Sequence, residues 1–336
     1  MSILFNRFKK KTFILLLSLI NKKEEHLEKL DKIRNKKLFQ CILKLNLNDQ
    51  LVQKTIDQDS GCITCMVKLD NNIIATGSWD RDIKIWNLIV INYNCIMTLT
   101  GHKNSVKCII KISYRHIASG SEDSSIRIWD YSNGTCLKYM IEENKYMYHV
   151  TSLMKLSTTK LMSGSTDNTI KIWDLVKGQC LKIHSSHTKP VICIIKLNNH
   201  QLITGSEDSI KLLDLQSGKF YKTIIDKVAL VAISKLNENQ IASGTNNYSI
   251  KIWDFPLGIC VKNLVGHKNY ISSIVQLSKS RIASGSCDCS IKIWDVITGN
   301  CFRTLNGHSG YIIVIRYLKT KLISGSGDKT IKIWDY

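Results

Sequence analysis

Seven times, a phrase ending in Trp-Asp or a variant of it recurs along the chain: Trp86-Asn87, Trp129-Asp130, Trp173-Asp174, Leu213-Asp214, Trp253-Asp254, Trp294-Asp295 and Trp334-Asp335. The spacings are 43, 44, 40, 40, 41 and 40 residues, the period of four-stranded propeller blades. At 336 residues the chain exceeds the roughly 250–300 at which a single core stops growing, so length alone admits two domains, a large barrel or a repeat array. The period selects the array and predicts an all-β, seven-bladed β-propeller.

Upstream of each ending lies Gly-Ser or Gly-Thr and then an acidic or amide turn, as in Ser119-Gly120-Ser121-Glu122-Asp123-Ser124-Ser125-Ile126-Arg127-Ile128-Trp129. That is a tight hairpin between two β-rich runs. Within this unit the pattern predicts strands at 106–112, 116–121, 125–130 and 136–141. The β-branched residues suit sheets buried on both faces. Cys95, Cys136, Cys180, Cys260 and Cys301 share one place on the fourth strand, which Phe220 fills in another unit. A place open to Cys or Phe reads as core packing rather than as a metal ligand. Lys84, Arg127, Lys171, Lys211, Lys251, Lys292 and Lys332 share a place before Ile-Trp or its variant, and read as surface charges whose stems lie over the sheet.

These phrases resemble the WD-repeat, or β-transducin-like, family over residues 51–336. The resemblance implies a buried hydrogen-bond chain of Trp, Ser or Thr, His and Asp in each complete blade. Three units fill every place: Trp129, Ser119, His102 and Asp123; Trp294, Ser284, His267 and Asp288; Trp334, Ser324, His308 and Asp328. Ser, His and Asp together suggest acyl transfer, but a catalytic group is needed once, whereas this set recurs beside an indole as a satisfied internal network would. Elsewhere Asp59, Tyr146 and Asp226 stand where His belongs, Asn247 replaces the turn Asp, and Leu213 replaces Trp in a unit whose turn is one residue short. Those blades should lack the full network, and the region from Thr204 to Trp253 should open more readily than Ser284 to Trp334.

Other motifs are weaker. Gly325-Ser326-Gly327-Asp328-Lys329-Thr330 lacks the Gly before Lys329 of a phosphate loop and joins two strands. Cys62-x-x-Cys65 and Cys287-x-Cys289 have no partner pair at zinc spacing. Asn133-Gly134-Thr135 and Asn247-Tyr248-Ser249 are glycosylation sequons that matter only in a secreted chain. No metal, cofactor or enzymatic activity is expected.

Residues 1–49 read as a basic, partly helical extension. Lys9, Lys10 and Lys11 precede an apolar run from Phe13 to Ile20, but no small-residue cleavage site follows and the run is far short of a membrane span. Asn21 with Glu24 can cap a helix carrying Leu27, Leu30 and Ile33. The net charge of +20 invites nucleic acid, yet it is dispersed. The chain holds 39 Lys against 8 Arg with 48 Ile and 24 Asn, the bias of an AT-rich coding sequence. Twelve Cys at mostly repeat-equivalent places read as reduced thiols of a cytoplasmic or nuclear protein rather than a disulfide framework.

The chain stops at Tyr336, after the third strand of its last unit, so residues 51–57 are expected to supply the missing strand: Val52–Ile56 aligns with Cys95–Leu99. The propeller is thus placed at 50–336. Its expected function is a non-catalytic scaffold for other proteins. A second reading follows from the phrase Gly-Ser-x-Asp-x-Thr-Ile-Lys-Ile-Trp-Asp, which is similar to F-box WD-repeat subunits of ubiquitin ligases, although the only prolines, Pro190 and Pro256, leave no Leu-Pro-x-Glu-like F-box opening. In that group, basic side chains flanking the turn Asp, and one on the next blade's first strand, hold phosphorylated peptides. Arg81 and Lys107 occupy such places and Glu122 a third. With Trp79, Tyr270, Tyr311 and Lys329 they form the expected partner site, for acidic or phosphorylated segments.

Overall fold

The computed structural model describes residues 52–57, 61–88, 94–141, 148–185, 187–224, 229–318 and 320–336. The expected helical extension over 1–49 and the residues Asp59, Tyr146 and Asp226 lie outside these. The described residues form strands grouped in seven four-stranded antiparallel sheets, the expected propeller. Strand β1 is Val52–Asp57. Blade 1 is β2 (Ile63–Lys68), β3 (Ile73–Ser78), β4 (Ile83–Asn87) and β5 (Asn94–Leu99); blade 2 is β6 (Val106–Lys111), β7 (His116–Ser121), β8 (Ile126–Asp130) and β9 (Thr135–Met140). Blade 3 is β10 (Val150–Lys155), β11 (Lys160–Ser165), β12 (Thr169–Asp174) and β13 (Cys180–Ser185); blade 4 is β14 (Val191–Lys196), β15 (Gln201–Ser206), β16 (Ile210–Asp214) and β17 (Phe220–Ile224). Blade 5 is β18 (Leu230–Lys235), β19 (Gln240–Thr245), β20 (Ser249–Asp254) and β21 (Ile259–Val265); blade 6 is β22 (Ile271–Gln276), β23 (Arg281–Ser286), β24 (Ile291–Asp295) and β25 (Cys301–Leu305). Blade 7 joins β26 (Ile312–Leu318), β27 (Lys321–Ser326) and β28 (Thr330–Trp334) to β1, which pairs antiparallel with β28.

Each blade's first strand touches those of both neighbours, so β2, β6, β10, β14, β18, β22 and β26 close a ring around a central channel. Close packing of blades explains the glycine of every Gly-Ser or Gly-Thr pair. A Cβ on Gly120 would lie 2.5 Å from Val150 of the next blade, and one on Gly325 would lie 2.6 Å from Ile63 of blade 1. Only a residue without a side chain lets the following strand seat this closely. The core therefore lies between blades: Ile83, Ile85 and Leu99 of blade 1 pack with Val106, Ile117 and Trp129 of blade 2. Each such side chain contributes roughly 1.5–3 kcal/mol by leaving water.

Two readings of repeated positions need correction. The fourth-strand cysteines are not core: Cys95, Cys136, Cys260 and Cys301 are exposed and Cys180 is half-buried. The register slips opposite each tryptophan, as between Ile128 and Trp129 where Cys136 faces the indole-bearing residue. The bulge turns the thiol outward on the blade's outermost strand, where Cys136 Sγ donates to Lys138 O at 3.4 Å. Nor are the strand-three cations uniformly surface groups. Lys171 is buried, and its Nζ lies 2.5 Å from Asp167 Oδ2.

Other lysines tie blades together. Lys111 and Lys235, at the ends of first strands, donate to Leu69 O and Leu197 O of the preceding blades, and Lys155 donates to Ile112 O at 2.5 Å. On outer strands, Lys138 reaches Val176 O at 2.6 Å and Lys222 reaches Phe255 O at 2.5 Å. Part of the lysine excess thus satisfies carbonyls at blade junctions, a use to which a long flexible ammonium is suited.

Candidate functional site

The three complete polar sets are assembled as continuous chains. Trp129 Nε1 donates to Ser119 Oγ at 2.8 Å, Ser119 Oγ meets His102 Nε2 at 2.7 Å, and His102 Nδ1 meets Asp123 Oδ2 at 2.9 Å. In blade 6 the distances through Trp294, Ser284, His267 and Asp288 are 2.8, 2.7 and 2.7 Å; in blade 7, through Trp334, Ser324, His308 and Asp328, they are 2.8, 2.6 and 2.7 Å. An indole N–H can only donate, so the serine hydroxyl accepts it and donates its own O–H to Nε2, and the imidazole donates from Nδ1 to the carboxylate. A neutral histidine satisfies every member. Ser119, Ser284 and Ser324 are 0% exposed, so these hydroxyls are sealed from any substrate.

Sequence reasoning missed a fourth chain. In blade 4 His187 bonds Thr204 Oγ1 at 2.9 Å through Nε2 and Asp208 Oδ1 at 3.1 Å through Nδ1, while Leu213 fills the indole's place. The signal is present as Ser-His at 186–187 and Thr-Gly-Ser at 204–206, in a phrase that lacks its Trp. In blade 3, Trp173 still donates to Ser163 at 2.8 Å, and the buried Lys171 holds the turn carboxylate of Asp167. Blade 5 keeps Trp253 on Ser243 at 2.8 Å, and Asn247 accepts from Ser249 Oγ at 2.7 Å.

Each turn aspartate also builds its hairpin. Asp123 N is held by Ser121 Oγ, its Oδ1 accepts from Ser125 N, and its Oδ2 accepts from Lys103 N. Outside the shorter turn of blade 4, the residue after the turn Asp or Asn adopts the left-handed region, as in Arg81 at φ 78°, Ser124 at 68°, Tyr248 at 70° and Lys329 at 67°. Such residues persist where surrounding bonds over-determine them. Backbone bonds then place the turns beside the segments entering the first strands, with Trp79 N on Cys62 O, Cys287 N on Tyr270 O and Gly327 N on Tyr311 O. Trp79, Tyr270, Tyr311, Arg81 and Lys329 therefore stand on one face, here termed the upper face. Trp79 is 52% exposed and Tyr270 is 47% exposed. Tyr248, which sequence reasoning passed over, is also exposed there, its ring 5.7 Å from that of Tyr270. It follows the turn position as Arg81 and Lys329 do. Lys107 is placed differently: its Nζ lies 3.1 Å from Glu122 Oε1, so Glu122 neutralises it.

Burial pushes the relay carboxyls up, but hydrogen bonds outweigh it. Bonds from His102, Ser125 and Lys103 N hold Asp123 well below the ordinary carboxylate range, and Asp208 and Asp288 are lowered similarly. Asp328, held by Thr330 and His308, is lowered to about 2. Burial lowers His308 and His187, against the pull of their aspartates. The signs agree. Below pH ~6.5 the unfolded chain takes up protons that folded His187 and His308 refuse, and below ~4 it takes up protons that the folded aspartates refuse. Stability contributed by the aspartates is complete above ~3.9 and is lost as pH falls through that value toward the folded pKa. The urea midpoint should therefore fall in two stages, first between pH 7.5 and 5, then more steeply below pH 4. A midpoint flat from pH 7.5 to 3 would contradict this account of the relays.

A family model described as WD domain, G-beta repeat matches residues 50–87, 93–130, 142–174, 178–214, 258–295 and 299–335. The stretch between 214 and 258 is unmatched, although it supplies β17–β20 with the same geometry. Similar proteins include Mitochondrial division protein 1 of Schizosaccharomyces pombe, 26% identical over a match covering 27% of this chain and 17% of that protein. Another is WD repeat-containing protein 55 of Danio rerio, 31% identical over 23% of this chain and 21% of that protein. The chain spans about a fifth of the length of these relatives. Among the described residues, no helix is long and apolar enough to cross a membrane.

Proposed function

The chain belongs to the WD domain, G-beta repeat family, and from that premise we propose that its upper face is a non-catalytic docking platform for other proteins. Propellers of this family are typical interaction scaffolds. The observation that carries the reading is the contrast between rigid foundation and open rim. Serine, histidine and carboxylate groups are used inside the blades, while Trp79 and Tyr248 remain exposed on hairpin turns held by Ser78 with Asp80 and by Asn247, and Tyr270 and Tyr311 remain exposed on first-strand entries that are backbone-bonded to the neighbouring turns. Amphipathic aromatics on rigid supports are the side chains from which binding hot spots are made.

The finer reading, recognition of acidic or phosphorylated segments as in ubiquitin-ligase substrate receptors, is supported by Arg81 and Lys329. Both are exposed cations with no carboxylate partner among the described residues. Lys107 counts against a three-cation pocket because Glu122 already pairs with it.

The test is affinity capture with the full chain, followed by the variants Trp79→Ala with Tyr311→Ala, and Arg81→Glu with Lys329→Glu, each first shown to melt as the parent does. A partner held by the upper face is lost from the aromatic variant and retained by Leu137→Ser on the outer strand β9. An acidic segment is additionally lost from the charge-reversed variant and weakens as salt rises. Retention by both upper-face variants, with loss from Leu137→Ser, moves the site to the blade edges.

A further inference from the structure

The channel enclosed by the seven first strands contains a cavity of about 270 Å³. Its lining includes no carboxylate, and the charged side chains on it, Lys107 and Arg316, are both cationic. Lys107 is balanced at the rim by Glu122. Arg316 is not balanced. Its Nη1 donates to Ile315 O at 2.9 Å, and it has no other polar partner among the described residues. Nor does the neighbouring thiol supply a counter-charge, since burial pushes Cys65 up to about 11. The equivalent places on the other first strands are Val67, Ile110, Met154, Ile195, Ser234 and Val275, so no repeat requirement puts a cation here.

We propose that the channel binds a small oxyanion of the phosphate type against Arg316. Arg316 is half-buried, and the part of its guanidinium withdrawn from bulk water costs free energy unless an anion or hydrogen-bond acceptors replace its hydration. Its planar fork presents parallel N–H groups that match two oxygens of a phosphate. The surrounding hydroxyls define where the anion sits. Those of Thr64, Thr151 and Ser272 donate to Val106 O, Val191 O and Ile312 O of the next blades, so their protons are engaged. Ser152 Oγ in blade 3 has no partner among the described residues, and Ser273 Oγ accepts from Ile315 N at 3.2 Å, which leaves its own proton free; of the two, Ser273 is the one bonded to the residue that precedes Arg316. The volume lies below the roughly 300–1,000 Å³ of drug-sized sites, which favours a group of phosphate size with its waters.

Isothermal titration of the full chain with inorganic phosphate, at ionic strength held constant with chloride, tests the proposal. A short phosphoserine peptide in a parallel titration distinguishes a free anion from a phosphoryl group carried by a partner. The parent should bind saturably, and Arg316→Met should weaken binding about ten- to a hundredfold. Should that variant fail to fold, Arg316→Lys keeps the charge without the fork and should still lose about tenfold. Lys279→Glu, on an exposed loop, should leave binding unchanged. Binding of inorganic phosphate lost with Arg316 establishes a free-anion site; binding of the peptide alone, equally lost, assigns the same chemistry to a partner's phosphoryl group. No heat and no melting shift with either ligand up to ~10 mM, or an unaltered response in the folded Arg316 variants, overturns it.

Discussion

Deleting residues 1–58 should abolish cooperative folding, whereas deleting residues 1–48 should leave a soluble protein that melts in one transition. The difference between the two truncations is β1. Its residues Lys54, Thr55, Ile56 and Asp57 face Ile333, Lys332, Ile331 and Thr330 of β28. Lys332 Nζ donates to Thr55 Oγ1 at 2.8 Å. Ile56 is buried in a cluster that joins Ile331 and Ile333 of blade 7 to Ile63, Ile74 and Trp86 of blade 1, so the strand seals the junction between first and last blades as well as an edge. Backbone bonds at ~0.5–1.5 kcal/mol each and the buried isoleucine at ~1.5–3 kcal/mol together approach the 5–15 kcal/mol that holds a typical domain. The exposed edge of β28 would also be a template for pairing between copies. Size-exclusion chromatography and thermal melts at equal concentration decide the matter. Matching elution and midpoints for the two truncations would show that β1 is dispensable.

What the sequence revealed follows from what repeats. In blade 2 the expected strands agree with β6–β9 to within one residue, because the turn Asp, the Gly and the Trp mark the same backbone events in every unit. The relays of blades 2, 6 and 7 were legible for the same reason. Legibility failed where a residue's meaning depends on a neighbour outside its own phrase. Lys171 reads as one of seven equivalent cations, but in blade 3 it turns inward to Asp167. The outward direction of the fourth-strand thiols depends on a bulge that spacing does not show. Lys107 and Glu122 are separated along the chain and meet only when β6 enters beside its own hairpin turn. Arg316 departs visibly from its repeat, yet only closure of the ring places it in the channel.

His308→Ala, His102→Ala and His267→Ala should each cost on the order of 1–3 kcal/mol, because each strands a buried hydroxyl and a desolvated carboxylate. The structure predicts that His187→Ala costs less. The hydroxyl of Thr204 has no indole donor to hold it, so its proton can turn to Lys211 O, 3.4 Å away, when the imidazole is gone, whereas the comparable contact of Ser284 with Lys292 O at 3.5 Å is restrained by Trp294 Nε1. In blade 7, by contrast, Ser324 Oγ stays fixed by Trp334 Nε1 at 2.8 Å and its proton is left without the Nε2 acceptor. Urea unfolding of the four variants, with Ser324→Ala and the double variant added to isolate the coupling, measures the ranking. The His187 relay, complete except for its indole, also redraws the weak region expected from sequence. Opening should concentrate in blade 5, where Asn247 replaces the turn carboxylate, rather than spread evenly from Thr204 to Trp253. Hydrogen exchange should therefore be faster over Ser243–Val265 than over Ser284–Leu305, with blade 4 intermediate. Equal protection of blades 5 and 6, or a His187→Ala cost as large as that of His308→Ala, would mean that packing between blades rather than the relays sets local stability.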